Sequence, residues 1–516
     1  MKKIIYILII PFLLLSLENI RAQEMNHSPA AVEKMKLDQL WHKTDNAAGI
    51  FFDGAENYTS LNMSYNSIDG NFHRPQQGKK ENIWGFDAEG GVKLDKMYLW
   101  GEFLYSRNAI KDANYNASII DPFRGMPYFV ADTNISNWNN QHYELTFKAC
   151  MPHLNDYLSL GLAGSYKTST GAKQRDPRTE NYLMKLELKP SIVYSPSASH
   201  HIGLNLVYYS LKEESNMENI NTDISQTYYE LYGLGTAVIG LGSGRTTNYV
   251  GNNIGGGIQY NYTGKVNVLF SSDYSLKVEE VEISFTTPKD DSATKQALWK
   301  NSLYLHTSAE DHAHYFNVEY TRRAIDGIQY ITLRDVSEKY QGWISLHKNI
   351  RSTYENQFLQ MGYDYAKNAQ NEYKWLAGIK TGIKEKKDVY LIPRSEKKIK
   401  NAFGEIHGKY NFNLSDKLAK RLLTSVSFLY NKNLSGHYLY GGSHPEYPIV
   451  TKLEQGDFDY LSSDFYSLHI TATYSQRIKK ENKINLFIQA DGIFSKAQNT
   501  YFNDRSNLLL TLGCNF

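Results

Sequence analysis

Long hydrophobic runs are missing from all but the first residues of this 516-residue chain. Mean hydropathy is −0.51, and no later stretch reaches the roughly 18 apolar residues that a membrane-crossing helix needs. A helical membrane bundle is excluded. Cysteine is nearly absent: Cys150 and Cys514 are the only two, too few for a disulfide-stapled secreted scaffold. Alternation sets them on opposite strand faces, so no pairing is expected. Net charge of one sign is lacking too. The formal +2 is carried by the first 22 residues, where Lys2, Lys3 and Arg21 face Glu18, so the remainder sums to zero. A nucleic-acid partner would demand a basic surface and is not expected. No repeat of fixed period appears, which argues against a propeller. No Gly-x-Ser-x-Gly elbow appears either.

What is present begins with a leader. Lys2 and Lys3 precede an apolar stretch from Ile4 to Leu17, and Ala22 supplies a small residue for cleavage, leaving Gln23 first. No cysteine comes next, so a lipid anchor is not expected. Residues 23–56 form a short N-terminal segment on the periplasmic side. Within it Val32, Met35, Leu37, Leu40 and Trp41 suggest a short amphipathic helix over Pro29–Trp41.

From residue 57 to 516 the pattern is apolar–polar alternation in blocks of ten to twelve residues, the length a tilted strand needs to cross a bilayer. The clearest blocks are His142–Met151, Asn181–Lys189, Ile254–Tyr262 and Tyr466–Tyr474. Others start near Tyr58, Trp84, Met97, Tyr157, His201, Val266, Ala297, Tyr315, Phe358, Tyr373, Ala402, Leu422, Ile484 and Asn507. Together they predict a transmembrane antiparallel β-barrel of about eighteen strands, within a range of 14–20. The amphipathic helix would then sit in the periplasmic mouth of the barrel. Aromatic residues are abundant, with 40 Tyr and 22 Phe. Trp100, Tyr105, Tyr208, Tyr209, Tyr363, Tyr365, Tyr430 and Tyr474 lie near block ends, where interfacial girdles form.

Connector lengths alternate as well. Short ones fall at Asp95–Lys96, Pro152–Asp156, Ser195–Ser199, Gly264, Ser308–Ala313, Asn413–Lys420 and Arg477–Asn482. Long ones fall at Ser67–Asn82, Arg107–Gln141, Thr168–Glu180, Lys212–Asn253, Glu279–Lys295, Lys384–Lys400 and Asn431–Asp464. This predicts short periplasmic turns and long extracellular loops. Ala324–Asn356 breaks the rhythm and reads as one long outer loop, which keeps the strand count even.

The closing residues Leu508, Leu510, Leu512, Cys514 and Phe516 share a face and end in an aromatic. They resemble the terminal strand of outer-membrane barrels, which implies handling by the barrel-assembly machinery through Phe516. The segment Leu40-Trp41-His42-Lys43-Thr44-Asp45-Asn46-Ala47-Ala48-Gly49-Ile50 resembles the Asn-Pro-Ala-Gly stretch before the first strand of fatty-acid-transporter-type barrels, with Ala47 in the proline position. As a whole the chain is similar to an uncharacterised family of large Gram-negative outer-membrane barrels, a domain of unknown function. That resemblance implies the outer membrane as location and supplies no ligand or catalytic residues.

Alternation predicts which side chains face the lumen: Glu144, Lys148, Lys185, Glu187, Lys189, Gln259, Asn261, Asp273, Lys277, Glu405, His407, Lys409, His469, Gln489 and Asp491. Charge on the lipid side would cost about 2–4 kcal/mol near the midplane, so polar residues point inward. Their mixed signs predict no strong ion selectivity. In the Arg107–Gln141 loop, Phe123, Tyr128 and Phe129 are too apolar for a segment that stays in solvent; they would fold inward as a constriction or meet a hydrophobic ligand or partner, and packing on neighbouring outer loops explains them as well. The lysines of Lys384–Lys400 would suit lipopolysaccharide phosphates, though a solvated charged loop explains them as well.

His306, Asp311, His312 and His314 are metal-capable but sit at a short turn with no ligand set completed; neither metal nor cofactor is expected. Ser435 with His437, and Ser443 with His444, fall in a long loop without the strand placement that holds a nucleophile and its base, so no enzyme is expected. Residues 23–56 are far too short for the plug domain and Ton box of an energy-coupled receptor. The sequence thus points to a channel or transporter for a small or amphipathic solute. The alternative is a non-conducting barrel serving as scaffold or accessory subunit to other membrane or surface proteins.

Overall fold

A backbone surrounded by lipid has no water to bond, so a strand protein crosses a bilayer only when every strand has a neighbour on both sides. This chain meets that condition. The computed structural model describes residues 27–516 apart from 55, 95, 96, 156, 225, 243, 285, 286, 338, 339 and 480–483. The expected leader, the Asp95–Lys96 turn and parts of two other turns lie outside the described residues.

Along the chain the strands are β1 (Tyr58–Gly70), β2 (Lys80–Leu94), β3 (Met97–Ala113), β4 (Val130–Ala131), β5 (Ser136–Asn155), β6 (Leu158–Lys173) and β7 (Arg178–Ser197). Next come β8 (His200–Glu218), β9 (Thr227–Gly233), β10 (Thr236–Leu241), β11 (Gly244–Tyr262), β12 (Asn267–Ser284), β13 (Lys289–Ser308) and β14 (His312–Ser337). The series ends with β15 (Tyr340–Ala369), β16 (Glu372–Tyr390), β17 (Ser395–Ser415), β18 (Lys420–Leu439), β19 (Phe465–Arg477), β20 (Asn485–Ala497) and β21 (Asp504–Asn515). Helix α1 is Pro29–Asp38 and helix α2 is Gln455–Leu461.

Eighteen of these strands form one antiparallel sheet. It closes because β1 pairs with β21 from Ser60↔Asn515 to Gly70↔Arg505, and Thr59 exchanges backbone hydrogen bonds of 2.7 and 3.0 Å with Phe516. Among the described residues the eighteen-stranded sheet has no edge strand left for lipid or another chain to meet. The remaining three strands, β4, β9 and β10, form a small separate sheet over one mouth, the far end. Both barrel termini lie at the other mouth, the near end.

Each of the eighteen alternating blocks falls on one barrel strand. The outward faces carry exposed apolar side chains, including Leu206 at 65%, Ile254 at 72% and Leu512 at 61%. Contiguous exposure on that scale requires an apolar surrounding.

Two expectations need correction. The far-end connectors are shorter than the sequence suggested, because the strands run on well past the bilayer. Lys384–Lys400 is mostly ladder between β16 and β17, turning within residues 391–394. Thr168–Glu180 and Glu279–Lys295 likewise join strands that continue. Ala324–Asn356 is no loop but a β14–β15 hairpin, paired down to Ser337↔Tyr340 with bulges at Gly327/Ile328 and Ile331/Thr332. The cause is physical: backbone pairing continues where the apolar alternation is interrupted, in β14–β15 by the register shifts at the two bulges. The second correction concerns the girdle. Trp100 and Tyr209 are buried and point inward, whereas Tyr208 and Tyr363 are exposed outward. In the pair Tyr208-Tyr209 only one ring can face lipid.

A charge placed on the outward face should therefore cost far more than the same charge inside. Leu510→Arg is expected to lose about 2–4 kcal/mol in reversible urea unfolding from lipid vesicles, while Thr511→Arg loses under about 1 kcal/mol.

Candidate functional site

The near end of the lumen is filled by residues 27–54. Ser28 caps α1 by accepting the Ala31 N–H at 3.2 Å and donates to Glu372 at 2.5 Å. Ala30 and Leu37 pack on Ala313, Tyr315, Ala366, Tyr373, Leu376 and Leu423 of β14 to β18. Two short 3-10 turns, Trp41–Lys43 and Ala47–Asp53, carry the chain across to the opposite wall. There Ala47 and Ile50 meet Tyr58, Tyr98, Trp100, Cys150 and Ala163, and Trp41 and Ala48 meet Val193 and Leu269. Asp53 ties the two turns together by accepting the N–H of Trp41 at 2.9 Å and of His42 at 2.8 Å.

Polar bonds to the wall are as numerous. Tyr373 donates to Glu33 at 2.8 Å and Lys409 pairs with the same carboxylate. Tyr315 donates to Asp38 at 2.6 Å, and Lys36 reaches Glu89 at 2.5 Å. Lys148 donates to the His42 carbonyl at 2.6 Å and the Thr44 carbonyl at 3.3 Å. Asn46 donates to Gln259 at 2.9 Å, and the Trp41 indole to Asn261 at 3.2 Å. Gly161 permits the closest approach: a Cβ there would lie 2.1 Å from the Ala48 nitrogen and 2.6 Å from the Ala47 carbonyl carbon. Backbone cannot move aside as a side chain can.

At the far end the loop of residues 114–135 turns into the lumen. Its anchor is Arg124, which the sequence pattern did not single out. The guanidinium pairs with Glu213 and, at 2.7 Å, with Glu279, two carboxylates that are 0% and 1% exposed. It also stands 4.9 Å from the Tyr249 ring centre, while Arg323 donates to its carbonyl. Removing one member of such a buried set costs about 3–5 kcal/mol, since the partners keep uncompensated charge. Phe123 lies at the loop tip under Arg74, 4.0 Å from its guanidinium. Tyr128 packs with Ile119, Met126, Tyr249 and Val281, and Phe129 lies against both this cluster and the one holding Tyr229 and Ile449. Of the three expected constriction residues, then, Phe123 and Phe129 border cavities inside the barrel, and Tyr128 packs within the cap.

Helix α2 completes the cap. Arg74 pairs with Asp457 at 2.6 Å, and Lys397 with Asp457 at 2.9 Å and Glu454 at 2.7 Å. Burial works against the Asp457 carboxylate, yet Lys397 and Arg74 hold it well below the usual carboxylate range. Of the lysines in residues 384–400, Lys386 pairs with Asp388 at 2.7 Å and Lys384 lies over the Phe358 and Phe403 rings, while Lys398 and Lys400 stay 47% and 44% exposed beside Glu396 and Glu385.

Between plug and cap remain three cavities around the loop tip. One of about 480 Å³ is bordered by Lys185, Glu187, Lys189, Asp273 and Lys277. A second, of about 650 Å³, includes Glu144 and Phe123; a third, of about 350 Å³, lies under α2. Against the opposite wall, a fourth of about 490 Å³ is lined by Glu405, His407, Lys409, His469 and Asp491. There Asp364 holds His407 at 2.5 Å and Asp491 holds His469 at 2.9 Å. Basic residues outnumber carboxylates around the first cavity, whereas the fourth carries the two carboxylate–histidine pairs beside Lys380 and Lys409.

The histidines near the β13–β14 turn are divided between faces. His306 stacks on Tyr315 and approaches Asp38 at 3.3 Å, whereas His314 bonds Tyr363 outside. His444 stacks on Tyr447 in the cap.

Residues 47–516 match the model of a family of unknown function, DUF6850, and the chain belongs to that family. No curated protein matches the sequence. Solved structures of similar shape include the ferric preacinetobactin receptor of Acinetobacter baumannii, at 9% identity, covering 89% of this chain and 80% of that one, TM-score 0.40. Others are the alcaligin outer-membrane receptor of Bordetella pertussis (10% identity, 89% and 76% covered, TM-score 0.40) and the FrpB iron transporter of Neisseria meningitidis (8% identity, 91% and 83% covered, TM-score 0.39).

The Gly161 contact gives a direct test of the plug. Gly161→Leu should leave barrel pairing intact while raising amide hydrogen exchange across residues 42–54 at least tenfold. Unchanged protection would show that the segment does not depend on that seat.

Proposed function

We propose that this protein is an outer-membrane transporter or gated channel for a small or amphipathic solute. The observation that carries the reading is the group of polar cavities held between two separately latched closures. A barrel meant only to be inert could fill its core with packed side chains; this one keeps charged walls facing space. The apolar exterior and the closed sheet fit the outer membrane, with the near end periplasmic and the long strands reaching outward. An assembly role for Phe516 and contact of the outer strands with lipopolysaccharide belong to the same reading.

Passage would require two movements. The loop tip must leave its seat at Glu213 and Glu279, and residues 42–54 must withdraw from the wall. The loop is the easier gate, because its charged seat is concentrated at Arg124. A non-conducting scaffold is the second reading, favoured by the closure of both mouths.

Single-channel recording in planar bilayers separates the two. Wild type should show rare openings, and Arg124→Ala should raise open probability tenfold or more. Silence of Arg124→Ala, and of its combination with Gly161→Leu, in well-folded barrels would leave the scaffold reading.

A further inference from the structure

Asp45 of the plug sits where a dissolved anion would sit. Lys189 donates to its carboxylate at 2.8 Å, and Lys300 and Lys148 act on the same group from nearby. Burial alone would push the Asp45 carboxyl up; Lys189, helped by Lys300 and Lys148, outweighs that and holds it below the usual carboxylate range. The side chain is still 34% exposed, and it borders the 480 Å³ cavity together with Lys167, Lys185, Lys277, Lys300 and Arg323.

The glutamates of this wall are already engaged, and Asp273 stands opposite Lys300 in the β12–β13 ladder. Glu187 serves Lys189 at 3.5 Å and Lys185 at 4.0 Å, Glu279 serves Lys277 at 2.9 Å, and Asp273 accepts from Ser271 at 2.8 Å. Among the described residues, Lys300 and Arg323 make no ion pair, although both face the cavity. Arg323 satisfies its donors on the Gln296 side chain and the Arg124 carbonyl, both neutral. The lysines and arginines bordering the cavity outnumber its bordering carboxylates seven to four, and one of those four, Asp45, is lent by the movable plug.

Resting on the transporter reading above, we propose that the chamber binds small solutes bearing carboxylate or phosphate groups, and that Asp45 is their tethered competitor. A ligand anion that takes Lys189 and Lys300 removes the ion pair holding Asp45, so residues 42–48 lose part of their seat. Cargo binding and plug release are then one exchange of anions at the same lysines. A tethered carboxylate competes at an effective concentration in the millimolar range, so removing its charge must strengthen binding of free anions.

Isothermal titration of the folded full-length barrel in detergent tests this, with succinate and inorganic phosphate as separate probes and maltose as the neutral control. Asp45→Asn should bind one or both anions about tenfold more tightly than wild type. Lys300→Gln should bind about tenfold more weakly, and maltose should give no heat. Hydrogen exchange of residues 42–48 should rise when the bound anion is present. Equal affinity in Asp45→Asn and wild type, indifference to Lys300→Gln, or unchanged exchange would overturn the proposal. Conducting barrels that ignore both anions would remove this inference and leave the transporter standing; barrels that bind anions as described yet stay silent would do the reverse.

Discussion

Every feature of this protein depends on backbone hydrogen bonding in a medium without water. An unpaired N–H or carbonyl in hydrocarbon costs several kcal/mol, so the sheet must close. It does so at the seam where Thr59 and Phe516 exchange hydrogen bonds. Once closed, the two-residue period of a strand assigns each side chain to lipid or to the lumen. The lumen of an eighteen-stranded cylinder is wide, and what fills it becomes the functional question.

The answer has two parts built on different physics. The near end is closed by a segment that combines small-residue packing, at Ala47, Ala48 and Gly161, with many hydrogen bonds distributed around the wall. No single bond dominates, so it behaves as a seated plug. The far end is held by concentrated charge: Arg124 on two buried glutamates, and Asp457 between Arg74 and Lys397. Closures of that kind are stiff until one partner is lost, which suits a gate. The lysine wall lies between them, and the plug itself contributes the anion that occupies part of it.

Much of this was legible in the sequence. All eighteen spanning blocks and the inward direction of Glu144, Lys148, Lys189, His407 and Asp491 follow from alternation, because lipid enforces it. Legibility fails where lipid ends. Residues 384–400 carry a dense run of charges through the β16–β17 ladder, and in 324–356 two bulges shift the register, so no sustained period of two reveals either stretch. Trp100 and Tyr209 misled because an aromatic near a block end packs in the lumen as readily as at an interface. Arg124 could not have been found by pattern at all. Its partners, Glu213 and Glu279, lie on β8 and β12 and meet it only after closure, and a lone arginine in a loop carries no periodic signal.

The central claim is that alternate side chains of the barrel face lipid. Its most direct measurement is a nitroxide scan along residues 508–512 in reconstituted vesicles, comparing collision with oxygen and with a water-soluble nickel chelate. Labels at 508, 510 and 512 should favour oxygen, and those at 509 and 511 should not, giving a period of two. Uniform accessibility along the strand, or a period near 3.6, would contradict the barrel and everything built on it.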